Sequence, residues 1–97
     1  MLEDYRLKVF KAVLDEGSFT AAARALGISQ PAVSQNIALL EKVAGGPMFE
    51  RERGRISLNE RGRVFKIYAE RILRDYDDLN EVFSHYESFR PALEEKS

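Results

Sequence analysis

The amino-acid sequence predicts a mainly α-helical fold, and three observations support this prediction. The run from Ser18 to Glu41 is divided at Gly27 into two short helical segments. Apolar and polar residues alternate on both sides of Gly54, as in a tight hairpin. After Asn59, apolar residues recur at alternating spacings of four and three. In this order, the elements predict a winged helix-turn-helix, in which a three-helix core carries a two-stranded wing, followed by a long dimerisation helix.

The first helix is expected from about Asp4 to Glu16, since Gly17 follows as a stop signal. Its apolar residues recur at three- and four-residue spacings, so we expect one buried stripe composed of Leu7, Phe10, Val13 and Leu14. This helix completes the three-helix core.

Two serines begin the next two helices. Ser18 and Ser29 can each accept a hydrogen bond from a first-turn backbone N–H group, and Pro31 suits the first turn of a helix. Gly27 can adopt the left-handed conformation that ends a helix. The segment is therefore predicted to be a helix-turn-helix.

The second helix of this pair has a polar face on the side opposite its predicted buried stripe. Its apolar stripe comprises Val33, Ile37, Leu40 and Ala44, and at about 100° per residue Pro31, Ser34, Gln35, Ala38 and Lys42 lie opposite. Side chains of these types can contact base edges, phosphates and thymine methyl groups. The predicted DNA-binding residues are Ser29, Gln30, Pro31, Ala32, Ser34 and Gln35. The alternative is an ordinary solvated face.

The predicted wing comprises Met48 to Arg51 and Arg55 to Leu58, with Gly54 at the turn. We expect Phe49, Ile56 and Leu58 to face inward. The tip then presents Arg53 and Arg55, together with Arg51, to phosphates or a narrow minor groove. The alternative is a solvated hairpin of mixed charge, because Glu50 and Glu52 are interleaved with the arginines.

From residue 59 to residue 90 the sequence predicts one helix, ended by Pro91, with residues 91–97 as a frayed tail. Its apolar residues form a heptad seam, which favours packing against another helix, most simply that of a second subunit. The predicted dimer-interface residues are Phe65, Ala69, Ile72, Tyr76, Leu79, Phe83 and Tyr86. The alternative is that the helix folds back on its own domain, with Val64 and Tyr68 as candidates for that contact.

The charge is unevenly distributed although the net charge is only −1. Residues 24–66 carry eight basic and four acidic side chains, whereas residues 67–97 carry four basic and eight acidic ones. The positive charge therefore coincides with the helix-turn-helix and wing. The acidic end is expected to project away from DNA.

Composition limits the other possibilities. With 44% apolar residues and no cysteine, 97 residues can form a modest core without disulfides or a thiolate metal site. The start MLEDYRLK has no secretory signal, and no stretch is apolar enough to span a membrane, so a cytoplasmic protein is expected. His85 is the sole histidine and no serine has a base at a suggestive spacing. We therefore expect no catalytic residue, no metal and no cofactor.

Several of these residues also carry a family resemblance: Phe10, SFTAAARAL, the tract SQPAVS from Ser29 to Ser34, Ile37, LLE ending at Glu41, Pro47, Phe49 to Arg51, and Gly62. Over about residues 5 to 85 the chain resembles the amino-terminal domain of LysR-type transcriptional regulators. The resemblance implies a homodimer that pairs through its linker helix and binds an interrupted inverted repeat in double-stranded DNA in bacteria. Such regulators normally continue into an effector domain, so no small-molecule effector site is expected in this sequence.

The departures from the family pattern bear mainly on specificity. Gln35 stands where arginine is common, and these two side chains favour adenine and guanine edges respectively. Ala44 stands in place of leucine and Gly46 in place of a small aliphatic residue. Asn59 replaces the usual threonine and is as good a helix cap.

The sequence thus divides into a DNA-binding domain over residues 1–58, a linker helix over 59–90 and a tail over 91–97. Two functions remain open. The first is sequence-specific DNA binding by a dimeric transcriptional regulator. The second is a short interaction protein that heterodimerises with full-length regulators and sequesters them.

Overall fold

A computed structural model describes residues 4–88. It contains four helices and one two-stranded antiparallel sheet in the order that the sequence predicts, which confirms the fold class. The described part is elongated, about 57 × 28 × 20 Å. The elements are α1 (Tyr5–Glu16), α2 (Phe19–Leu26), α3 (Gln30–Ala44), β1 (Phe49–Glu52), β2 (Arg55–Leu58) and α4 (Glu60–Ser84).

The predicted caps set the boundaries of the helix-turn-helix. The Ser18 hydroxyl oxygen accepts from the Ala21 backbone N–H at 3.0 Å, and that of Ser29 accepts from Ala32 at 3.2 Å. Gly27 ends α2 in the left-handed conformation with φ 70°. The next N–H group, of Ile28, then donates to the Ala23 carbonyl at 3.0 Å, and the turn closes.

The core lies among α1, α2 and α3, with α4 against α1. Leu7, Phe10 and Val13 are buried as predicted, while Leu14 is only half-buried. Val9 is also fully buried, which the sequence analysis missed. Because α1 packs against three other helices, its buried surface is wider than one stripe.

The wing is anchored by aromatic packing. The Phe49 ring centre lies 5.7 Å from that of Phe10 and 5.9 Å from that of Phe19. Met48, predicted as the first wing residue, precedes β1 and is fully buried. The wing is therefore fixed at its base while its tip stays in solvent.

The first half of α4 packs on its own domain, and two residues of the predicted dimer interface take part in this packing. The Phe65 ring lies 5.0 Å from that of Phe10, and Ala69 is only 3% exposed. Both residues belong to the domain's core, since α4 has to cover Phe10. Val64 and Tyr68, the predicted candidates for self-packing, are instead 51% and 57% exposed.

The helix α4 ends at Ser84, earlier than the predicted residue 90. His85 leaves the helical conformation with φ −122°, and its N–H group donates to the Val82 carbonyl at 3.2 Å. The Ser84 hydroxyl donates to the Glu81 carbonyl at 2.9 Å and competes with the helical pattern there. A helical turn follows over residues 86–88. The predicted stop at Pro91 and the frayed tail lie outside the described residues.

Candidate nucleic-acid interface

The polar face of α3 points into solvent. Val33, Ile37 and Leu40 are buried, while the residues predicted opposite them are all exposed, namely Pro31, Ser34, Gln35, Ala38 and Lys42. The Asn36 amide is turned back along the helix and donates to the Ala32 carbonyl at 2.8 Å. The exposed face therefore presents Ser34 and Gln35 as its polar groups in the middle turns.

At the start of α3, the predicted residues differ in how freely they can reach a ligand. The Ser29 oxygen is engaged as the helix cap, and Ala32 is half-buried. Gln30 is exposed, and its amide oxygen lies 3.5 Å from the Thr20 hydroxyl, the donor at the start of α2. Thr20 therefore lies beside Gln30 across the turn, a neighbour that the sequence analysis did not identify. The available signal was its place in the first turn after the Ser18 cap.

A cleft of about 170 Å³ separates the starts of α2 and α3 from the wing. Thr20, Gln30 and Arg51 line it, and the Arg51 guanidinium carbon lies 5.9 Å from the centre of the Phe19 ring. Arg51 therefore faces the helix-turn-helix and does not extend the wing tip. This places a cation beside the first turn of α3.

The wing tip presents its own cations. Arg53 and Gly54 form the two-residue turn, and both have positive φ angles of 52° and 76°. Arg53 and Arg55 are exposed, and the strand register sets Arg55 opposite Glu52. Arg51 is paired with Ile56 on the other face of the hairpin. Since successive side chains of a strand alternate faces, the glutamates lie on the face opposite Arg51.

Hydrogen bonds between side chains and the backbone fix the wing relative to α3 and α4. The Glu41 carboxylate, near the end of α3, accepts from the Met48 N–H at 2.7 Å. The Asn59 amide donates to the Pro47 carbonyl at 2.8 Å, and Arg63 donates to the Leu58 carbonyl at 3.1 Å. The polar helix face and the cationic tip are therefore held in one arrangement. The sequence analysis did not assign this role to Glu41.

An exposed polar helix beside a cationic hairpin, both supported by a three-helix core, defines a winged helix-turn-helix domain of the DNA-binding class. The family comparison agrees, since the model described as "Bacterial regulatory helix-turn-helix protein, lysR family" matches residues 5–63. The chain belongs to the LysR family of transcriptional regulators.

Solved structures of this family share the fold. The chain is similar to a DNA complex of the BenM DNA-binding domain with the catB site, with a TM-score of 0.80 and 32% identity, covering 92% of this chain and 96% of that one. It is also similar to the CbnR DNA-binding domain in complex with DNA, with a TM-score of 0.77 and 31% identity, covering 89% and 99%.

Among curated relatives, a "Probable RuBisCO transcriptional regulator" of Cyanidioschyzon merolae is 48% identical over 68 residues, or 70% of this chain and 22% of that protein. The "HTH-type transcriptional regulator CzcR" of Bacillus cereus is 36% identical over 77 residues, covering 79% and 27%. The chain thus spans about a quarter of the length of these relatives. Among residues 4–88, no helix is long and apolar enough to cross a membrane.

Proposed function

We propose that this chain binds double-stranded DNA sequence-specifically as a homodimer and serves in transcriptional regulation. On this proposal, α3 lies in the major groove and the wing contacts the flanking backbone or minor groove. The single observation that carries it is the solvent-facing polar side of α3, held beside the cationic wing by Glu41 and Asn59. Bound DNA in the similar BenM and CbnR domain structures supports the same reading.

The proposed contacts have different tasks. Gln30, Ser34 and Gln35 read base edges, and Pro31 with the accessible part of Ala32 contacts thymine methyl groups. Arg53 and Arg55 supply cations to the flanking DNA, while Arg51 approaches the backbone beside the first turn of α3. Ser29 acts through its cap, which sets the direction in which α3 enters the groove.

The proposed dimer uses the exposed apolar stripe of α4, which the domain's own core leaves uncovered. Because Phe65 and Ala69 pack within one copy, the proposed contact relies on the other predicted residues, Ile72, Tyr76, Leu79, Phe83 and Tyr86. The exposed Tyr68 is added to them. Such a stripe in water favours pairing with a second helix.

The charges of α4 and the turn after it favour an antiparallel pair. Residues 60–74 contain five basic and two acidic side chains, whereas residues 75–88 contain five acidic ones and no lysine or arginine. A parallel pair would set acidic half against acidic half. An antiparallel pair sets the acidic half of each copy against the basic half of the other. A two-fold symmetric dimer then suits an interrupted inverted repeat.

The test is selection of bound duplexes from a random pool, followed by footprinting. The proposal expects two related half-sites in opposite orientation. Gln35→Ala should relax the preference at one position in each half-site, worth about 1–3 kcal/mol, with an unchanged salt dependence. Lys42→Ala, a change further along the same face, is the matched control for non-specific loss. A pool that shows no enrichment would refute sequence-specific DNA binding. Enrichment of a single, unrepeated site would refute binding by a symmetric dimer.

The alternative, a short protein that sequesters full-length regulators, has no support from the relatives and structures described above. A protein that only sequesters regulators would have no use for the exposed polar face of α3. If this alternative is correct, the selection of duplexes should show no enrichment. The chain should nevertheless associate with a full-length family member.

A further inference from the structure

We propose that Arg61 is a positioning residue that sets which spacing of DNA half-sites this protein accepts. Its guanidinium group lies against Gly46, just after the end of α3, and so fixes the direction in which α4 leaves the DNA-binding domain. This inference rests on the proposed function and deepens it, because it concerns how two DNA-binding domains are held relative to each other.

Gly46 provides the space for the guanidinium group. Gly45 ends α3 in the left-handed conformation with φ 87°, whereas the φ angle of Gly46 lies outside that region, so its backbone does not require glycine. A Cβ atom on Gly46 would collide with Arg61 Nη1 and lie 3.0 Å from Cζ. The small aliphatic residue that is usual here in the family would therefore displace the Arg61 side chain.

This position also suits the charge of Arg61. The Gly45 N–H group donates to the Lys42 carbonyl at 3.3 Å, and the Gly46 N–H group donates to the Glu41 carbonyl at 2.9 Å, so Gly46 lies at the carbonyl end of α3. The carbonyl end of a helix carries a partial negative charge, which a nearby cation stabilises. Because Arg61 belongs to the first turn of α4, the contact joins the end of the proposed DNA-reading helix to the start of the linker helix.

Two further contacts hold the loop of residues 46–48 against the first turn of α4. The Asn59 amide donates to the carbonyl of the middle residue, Pro47, at 2.8 Å, and Gly62 lies close to the carbonyl oxygen of the last residue. Both of these contacts are at the wing side of the loop. Arg61 supplies the contact next to α3, and this contact therefore ties α4 to the reading helix itself.

The length of α4 enlarges any change in its direction. The helix has 25 residues and is about 37 Å long. A change of about 5° at its first turn would move its outer end by about 3 Å, close to the rise of one base pair. If two copies pair through α4, the direction of this helix decides how far apart the two α3 helices lie. Half-site spacing is therefore the property that the Arg61 contact should control.

Gly46→Ala and Arg61→Ala remove the same contact from its two sides. The methyl group of Gly46→Ala meets only the end of a flexible side chain, so this variant should fold like the parent chain, which thermal melting checks. Duplexes with the selected half-sites at the selected spacing, and at spacings one base pair shorter or longer, measure the preference of each protein.

In the parent chain the selected spacing should bind about ten-fold more tightly than the other two, since both half-sites are engaged at once only there. Each substitution should reduce this ratio by about three-fold or more, and the double variant should lose no more than either single variant. Arg74→Ala removes the same charge from an exposed position of the same helix and should leave the ratio unchanged. The preferred half-site sequence should be the same in all four variants, because none of them changes a proposed base contact.

Nuclear magnetic resonance relaxation of the arginine Nε–H groups measures the contact without DNA. In the parent chain the Arg61 group should be more ordered than the Arg74 group. Gly46→Ala should lower the order of the Arg61 group to that of Arg74, because the added methyl group displaces the guanidinium group.

An unchanged spacing ratio in Gly46→Ala and Arg61→Ala would overturn the proposal, while selection of paired half-sites by the parent chain would still support the proposed function. Additive losses in the double variant, or an Arg61 Nε–H group as mobile as that of Arg74, would also overturn it, since the two residues would not act through one contact. A parent chain that selects no paired half-sites would refute the proposed function and this inference with it.

Discussion

At the scale of single residues, Asn59 joins the start of α4 to the loop before the wing. Its amide oxygen accepts from the Gly62 N–H at 2.8 Å and caps α4, while its amide nitrogen donates to the Pro47 carbonyl at 2.8 Å. Its own backbone N–H donates to the Met48 carbonyl at 3.0 Å. One side chain therefore begins the linker helix and ties it to the loop before the wing.

We expect Asn59→Ala to lower the free energy of unfolding by about 2 kcal/mol, since it removes both the cap and the bond to Pro47. Asn59→Thr retains a capping oxygen and should lose about half as much. Urea unfolding of the three proteins measures this. If Asn59→Thr were as stable as the parent chain, the bond to Pro47 would contribute nothing, and asparagine would be equivalent to the family's usual threonine.

Gly62 has an ordinary helical backbone conformation, so glycine is not needed there for its φ angle. It is needed because the base of the wing approaches α4 closely at this position. A Cβ atom there would collide with the Met48 carbonyl oxygen and lie 2.7 Å from Leu58 Cδ2. Gly62→Ala should destabilise the domain by about 1–3 kcal/mol, although alanine favours helix elsewhere. Thermal melting checks it, with Asp77→Ala at an exposed site of the same helix as control. A raised melting temperature for Gly62→Ala would show that the wing base yields easily.

At the scale of elements, the turn at the wing tip holds an arginine in an unfavourable backbone conformation. Arg53 has φ 52°, a conformation that asparagine and glycine adopt more easily than arginine. Arg53→Asn should therefore stabilise the hairpin by about 0.5–1 kcal/mol. The same change removes a cation from the proposed DNA contact.

Arg53→Asn should thus separate stability from binding. We expect DNA affinity to fall similarly on all sequences and the slope of log affinity against log salt to decrease by about one. Arg74→Asn, the same loss of charge on the exposed side of α4, should leave that slope unchanged. Binding titrations at several salt concentrations decide the matter, and an unchanged slope for Arg53→Asn would remove the wing tip from the interface.

The elements also show where prediction from sequence succeeded and where it failed. The caps Ser18 and Ser29 and the stripe of α3 are local patterns, so the sequence sufficed to predict them. The burial of Ala69 instead depends on how α4 crosses α1, which no periodicity within α4 specifies. The role of Glu41 likewise depends on a loop returning beside α3, and the DNA-contact residues remain predictions that binding experiments must test.

At the scale of the whole molecule, the fold of the domain does not depend on the outer half of α4. The core reaches along α4 to Leu73, and the side chains of Leu79 and Phe83 beyond it are exposed. The double change Leu79→Lys with Phe83→Lys should therefore leave the domain folded. It places four like charges in the proposed subunit interface, so the dimer should dissociate.

The dissociated double variant should retain its helical spectrum and bind DNA weakly at low salt. It should lose the tight binding that comes from engaging two half-sites at once. Sedimentation and titration on a two-half-site duplex measure both properties. Ile67→Lys with Ser84→Lys adds the same charge where neither residue belongs to the stripe, and this control should stay dimeric. A double variant that remains dimeric would place the subunit contact elsewhere, whereas one that unfolds would show that the outer stripe is packed within a single chain.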